Sequence, residues 1–264
     1  MQSPNRWETL RKEILADGVI DAEEVQRLRS LLYEDGQIDR EEADFLFALN
    51  DISTGSEGHD STWTDLFVEA LTDFVLKDEE SPGVIDVSEA MYLIQKIGAD
   101  GIVDHNEIQL LINITQKAVG ESPEPFSEFV LEVLEQKVIA DGVVDAEEVG
   151  YLRMVMYGDG GLEGFSISRE EAGILFSINN ATSANEGHHP SWQEFFVEAI
   201  ASCVLDDQNS FGEVDAEEAE WLVSQIQSDG LLDSNEMALL QCLNSKTPLR
   251  RPTLKQWLEL VEEA

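Results

Sequence analysis

The sequence predicts an all-α protein built by tandem duplication of helix–turn–helix repeats, with about thirteen helices. Three observations lead there. One turn phrase, D-G-x-hydrophobic-D-x-x-E, recurs along the chain. Apolar residues between its copies fall at helical spacing. No segment alternates with the period of two that a strand requires.

The duplication is read from register. A-D-G-V-I-D-A-E-E-V at 16–25 returns as A-D-G-V-V-D-A-E-E-V at 140–149. S-T-W-T-D-L-F-V-E-A at 61–70 is answered by P-S-W-Q-E-F-F-V-E-A at 190–199. Trp63 and Trp192, Asp86 and Asp215, and Asp104 and Asp233 are all 129 residues apart. The first pair of phrases is offset by only 124, so a glycine-rich insertion near residues 161–165 accounts for the difference. Two halves follow, 1–120 and 121–264.

Each half divides again, and every quarter follows one order. A helix opens with an aromatic residue, near Trp7, Trp63, Phe126 or Trp192. A first turn, a middle helix, a second turn and a third helix come next. The paired turns centre on Gly18 and Gly36, Gly83 and Gly101, Gly142 and Gly160, and Gly212 and Gly230, each pair 18 residues apart. That spacing holds one turn and a helix of about thirteen residues, near the mean helix length. Val25, Leu28, Leu31 and Leu32 share one helical face, as do Ala90, Leu93, Ile94 and Ile97. A last helix is expected near residues 254–263.

Composition bounds the function. Apolar residues make up 42% of the chain, enough for a packed core, so the charge does not signal disorder. The 55 acidic residues against 16 basic ones leave a formal net charge of -39. Such a field argues against nucleic acid, anionic lipid and anionic substrates, and attracts cations or basic protein segments. Cys203 and Cys242 lack a C-x-x-C spacing and read as reduced core residues. No apolar run approaches the ~20 residues of a membrane span, and the charged first sixteen residues do not resemble a signal peptide. A soluble, cytoplasmic protein is expected. The basic cluster Lys246, Arg250, Arg251 and Lys255 balances the acidic field locally.

The turn phrase has two readings. In the structural one, the glycine ends a helix in the left-handed conformation, the second aspartate caps the next helix, and the glutamate three residues on closes a capping box. Asp21 with Glu24, Asp39 with Glu42, Asp104 with Glu107, Asp145 with Glu148 and Asp233 with Glu236 fit it. In the functional reading, G-x-h-x-x-x-E is the second half of a calcium loop, with glycine at position 6 and a bidentate glutamate at 12. Its first half must supply oxygens at positions 1, 3 and 5. Counting back from those five glutamates meets Glu13 and Leu15, Leu31 and Tyr33, Lys96 and Gly98, Lys137 and Ile139, and Gln225 and Gln227 at positions 1 and 3. Leucine, lysine and isoleucine cannot ligate a hard cation, and those five are read as turns.

Two longer loops pass. Counting back from Glu89 places Asp78 at position 1, Glu80 at 3, Pro82 at 5, the Val84 carbonyl at 7 and Asp86 at 9. Counting back from Glu218 places Asp207, Asn209, Phe211, the Glu213 carbonyl and Asp215. Position 5 can offer only a carbonyl in both. These ten metal candidates are Asp78, Glu80, Val84, Asp86, Glu89, Asp207, Asn209, Glu213, Asp215 and Glu218, with calcium or another divalent cation as the ligand; the alternative is a pair of solvated acidic loops.

Other features have plainer readings. The enlarged stretch 158–171, with Asp159, Glu163, Ser166 and Ser168, is an excursion before a Ser168–Glu171 capping box. The loops from Asn50 and Asn179 carry Glu57, His59, Glu186 and His188, a conceivable cation or partner site. They read first as linkers in which Ser61 and Ser191 cap helices anchored in the core by Trp63 and Trp192. No nucleophile elbow, phosphate loop or H-E-x-x-H is present, so no enzyme is expected.

The A-D-G-x-I-D-x-x-E phrases with their apolar-periodic helices resemble the helical TerB-type (tellurite-resistance) proteins, and the two longer loops resemble degenerate EF-hands. The resemblance implies an all-helical, acidic, metal-associated protein of stress-response or regulatory type. The resulting expectation is a calcium-type binding protein that buffers or senses. Its rival is a metal-independent acidic scaffold for a basic protein partner.

Overall fold

The structure, a computed structural model, describes residues 6–53, 58–79, 81–99, 101–120, 122–157, 167–205 and 212–247. Among them are twelve α-helices and no strand. In chain order they are α1 (Arg6–Ile14), α2 (Ala22–Leu32), α3 (Arg40–Ser53), α4 (Ser61–Leu76), α5 (Val87–Lys96), α6 (His105–Lys117), α7 (Glu124–Asp141), α8 (Ala146–Tyr157), α9 (Arg169–Thr182), α10 (Pro190–Leu205), α11 (Ala216–Ile226) and α12 (Ser234–Lys246). The helix expected near 254–263 and the insertion at 158–166, with Gly160, Asp159, Glu163 and Ser166, lie outside the described residues. No described helix is long and apolar enough to cross a membrane.

The chain divides into two compact units, Met1–Val130 and Leu131–Ala264. In the first unit, α4 packs against α2, α3 and α6. In the second, α10 packs against α8, α9 and α12, and α11 lies on α9. The central helices are the most apolar, and their aromatics fill the cores. Trp63, Phe67, Trp192, Phe195 and Phe196 are almost fully buried. Phe47 stands edge-on to Phe67 at 5.6 Å between ring centres, and Phe176 to Phe196 at 5.2 Å, a favoured aromatic geometry. Trp7 and Phe126 are buried too, so all four opening aromatics anchor their helices.

The turns take the expected form. The described turn glycines Gly18, Gly36, Gly83, Gly101, Gly142, Gly212 and Gly230 all have φ between 75° and 92°, a region in which a Cβ would be strained. The hydrophobic residue ahead of the cap is buried at Ile20, Ile38, Ile85 and Val144. Val25, Leu28 and Leu32 face the core and Leu31 is half-buried, as the helical period requires.

Two expectations are corrected. Ser61 and Ser191 are not caps. Helix α4 begins at Ser61 with Asp60 as its cap, Asp60 Oδ1 accepting from Thr62 N at 3.0 Å. Helix α10 begins at Pro190, whose fixed φ suits a first helical residue, and His189 Nδ1 accepts from Ser191 N at 3.3 Å. Cys203 and Cys242, expected in the core, are only half-buried.

Candidate functional site

The reciprocal cap is general. Backbone and side chain bond both ways at Asp21–Glu24, Asp39–Glu42, Asp104–Glu107, Asp145–Glu148, Ser168–Glu171 and Asp233–Glu236. The same bonds form in the two longer loops. Glu89 N donates to Asp86 Oδ1 and Asp86 N to Glu89 Oε2, each at 2.8 Å. Glu218 N donates to Asp215 Oδ1 at 2.9 Å and Asp215 N to Glu218 Oε2 at 2.7 Å. The glutamates at candidate position 12 therefore already spend one carboxylate oxygen on a helix cap.

What separates loop 78–89 from a plain turn is its first half. After α4 the chain folds back, with Gly83 N donating to the Leu76 carbonyl at 2.8 Å and Val84 N to the Ser81 carbonyl at 2.9 Å. Asp78 closes the loop from inside. Its carboxylate accepts from Ser81 N at 3.1 Å and from the Ser81 hydroxyl at 3.3 Å. Ser81 also lies close enough to Glu89 to favour its charged form.

Burial first, with the Asp78 and Asp86 carboxylates adding to it, pushes the Glu89 carboxyl up to about 7 against the lowering effects of the Asp86 N bond and of Ser81. The Asp78 and Asp86 carboxylates thus both act on Glu89. No group of three or more His, Cys, Asp or Glu side chains among the described residues is arranged to hold a metal ion. Glu80 lies outside those residues. Val84 sits on the surface, and its neighbour Gly83 offers its carbonyl to Val119 N at 2.6 Å.

The second loop closes with the corresponding bond, Gly212 N to the Leu205 carbonyl at 2.8 Å. Asp207, Asn209 and Phe211 lie outside the described residues. Glu213 is exposed, and Glu218 is buried at 2%.

The histidine loops are tied to backbone. His59 Nδ1 accepts from Ile20 N at 2.9 Å, and its Nε2 lies 3.1 Å from the Ser53 carbonyl, which sets Nε2 as the protonated nitrogen. His188 repeats this with Val144 N at 3.0 Å and the Thr182 carbonyl at 3.1 Å. Both ring nitrogens of His59 and of His188 are thus engaged by backbone groups. Glu186 is exposed, and Glu57 lies outside the described residues.

Sequence reasoning missed the residues beneath these loops. Asn50 is 1% exposed; its Nδ2 donates to Asp104 Oδ2 at 2.6 Å, and its Oδ1 accepts from Asn106 Nδ2 at 2.8 Å. Asn179, equally buried, does the same with Asp233 and with Asn235 at 2.8 Å. The capping aspartate of the last turn in each unit therefore uses one oxygen for its helix and the other for a buried amide. The signal was present, since Asn50, Asp104 and Asn106 each recur 129 residues on.

Fold and site together define an all-helical protein whose acidic turns cap helices and whose loop 78–89 gathers carboxylates. Comparison with family models, with curated proteins and with solved structures finds no match.

Proposed function

We propose that this chain is a non-enzymatic, TerB-like protein that binds divalent cations of the calcium type at loop 78–89, in a buffering or sensing role in the cytoplasm. One observation carries the reading. The loop folds back on the Leu76 carbonyl through Gly83 N, which brings Asp78 close enough to act with Asp86 on Glu89, and Glu89 is pushed up to about 7 by burial and by these two carboxylates. A carboxyl in that state exchanges its proton for a cation, and a divalent ion would relieve the repulsion that holds it up. Asp78, Glu80, Asp86, Glu89 and the Val84 carbonyl are the proposed ligands. The loop with Asp207, Asn209, Glu213, Asp215 and Glu218 is the proposed second site, and the 129-residue register shared by both loops supports tandem duplication.

Calorimetric titration tests this. An ion that binds only the folded state stabilises it by RT ln(1 + [L]/Kd), about 2.7 kcal/mol at a hundredfold excess over Kd. Wild type should show calcium heat with proton release near pH 7. Glu89→Gln and Glu218→Gln should each remove one binding event, and Glu24→Gln should remove none. A wild type with neither calcium heat nor thermal shift at millimolar ion would refute the reading. The second reading, a metal-independent acidic scaffold for a basic protein partner, would then stand on the net charge of -39.

A further inference from the structure

The first unit exposes a strip of apolar side chains beside loop 78–89. Val84 is 39% exposed, Val87 62%, Met91 52% and Val119 69%. Val87 and Met91 are one helical turn apart on α5 and share a face. Val119 is joined to the loop by its bond to the Gly83 carbonyl, and its Cγ2 lies 3.8 Å from where a Cβ on Gly83 would sit. The four residues run from the end of α6 across the loop onto the outer face of α5.

The second unit shows that folding does not require this strip. At the positions 129 residues on from Val84, Val87 and Met91 stand Glu213, Ala216 and Glu220, all exposed. Both units form the same loop-closing bond and the same capping box at this place. A position that accepts glutamate in one unit gains nothing for the fold from valine or methionine in the other. Apolar side chains in water at such positions mark a surface that something covers.

Charge decides what covers it. Residues 77–89 carry five carboxylates against one lysine, Lys77, and the whole chain carries -39. A second copy brings the same charge and is repelled. We infer that the strip formed by Val84, Val87, Met91 and Val119 docks a basic amphipathic helix, whose apolar face covers the strip while its lysines or arginines meet the surrounding carboxylates. The mode is that of a helix laid along an apolar surface. It does not depend on cation binding.

The test uses the full chain in the presence of a chelator, so that cation occupancy plays no part. The probe is a fluorescent Leu/Lys peptide with one apolar helical face. A peptide of identical composition in scrambled order is the control. Met91→Glu separates apolar docking from charge attraction, because the two predict opposite signs. The added carboxylate strengthens attraction to a basic peptide, whereas loss of the methionine weakens docking. Binding of the amphipathic peptide should weaken about tenfold or more in Met91→Glu, and likewise in Met91→Ala, as expected for one buried methionine side chain. Both variants should melt with wild type, and the scrambled peptide should not weaken on Met91→Glu. Equal or tighter binding of the amphipathic peptide by Met91→Glu would overturn the inference. So would a concentration-dependent dimer of wild type, seen by sedimentation, that Met91→Ala disperses, since the occupant would then be a second copy.

Discussion

Lys137 Nζ lies 2.6 Å from Glu148 Oε1, and the glutamate side chain is 1% exposed while the lysine is 35% exposed. At the scale of single residues this pair differs from the others described. Burial opposes the charge on Lys137, but the bond to Glu148 outweighs it and holds the ammonium above its ordinary range. Removing a partner from a buried pair leaves an uncompensated charge, which costs several kcal/mol, less where one side chain still meets water. Lys137→Ala should therefore destabilise the second unit by about 2–3 kcal/mol, read as a lower urea midpoint. Arg27 and Glu13 form an ion pair at 2.8 Å with both side chains about half exposed. Arg27→Ala should change stability by no more than ~0.5 kcal/mol, as exposed pairs do. Lys137 entered the sequence reading only as a residue that could not ligate a cation. Its real partner was eleven residues away, across a turn whose three-dimensional closure the residue pattern alone does not state.

At the scale of the turn and its helix, the cap was legible because capping is local. An aspartate and a glutamate three residues on satisfy each other's backbone N–H groups wherever the phrase occurs. The fate of the glutamate's second oxygen was not legible, because the end of the preceding helix decides it. Glu107 Oε1 receives Gly98 N at 3.1 Å, which the φ of 68° at Gly98 turns toward it. At the corresponding place in the second unit stands Gln227, with φ at -84° and its N–H given to the Val223 carbonyl at 3.0 Å. Glu236 Oε1 is left buried without a partner. Burial first, then the Asp233 and Asp229 carboxylates, push Glu236 up to about 8 against the lowering bond from Asp233 N; Glu107 rises to about 7, chiefly by burial. The sign follows from proton binding. Between the ordinary carboxyl value of 4.5 and about 8 the folded state holds a proton that the unfolded state releases, so stability is greatest below that window and falls as pH rises through it. One such group contributes a slope of at most about 1.4 kcal/mol per pH unit. In Glu236→Gln, thermal melts from pH 5 to 8.5 should show a visibly smaller decline than wild type. An unchanged slope would place the proton elsewhere.

At the scale of the whole molecule, fold class was the most legible property, since helical spacing, capping phrases and the absence of period-two alternation all agreed. The asymmetry between the units was not. Val87 and Ala216, or Met91 and Glu220, are both compatible with a helix, and only exposure separates a docking face from a solvated one. Charge is the opposite case: 55 carboxylates against 16 lysines and arginines leave most carboxylates without a basic side chain to pair with, whatever the fold. Ion pairs such as Arg27–Glu13 form at the surface. Salt weakens attraction within those pairs and repulsion among all the remaining carboxylates, and the second effect is much the larger. With a Debye length of ~10 Å at 0.1 M, neighbouring exposed carboxylates are screened while buried pairs such as Lys137–Glu148 are little touched. Raising sodium chloride from 10 mM to 0.5 M should therefore raise the melting temperature in a chelator, with most of the gain below about 0.2 M, where the screening length shortens fastest. Calcium chloride at matched ionic strength separates screening from binding. Screening alone gives nearly coincident curves for the two salts, whereas an ion held at loop 78–89 adds a further rise that Glu89→Gln removes. A melting temperature that is flat or falls with sodium chloride would mean that the carboxylates are already neutralised, by protons or by cations that survive the chelator.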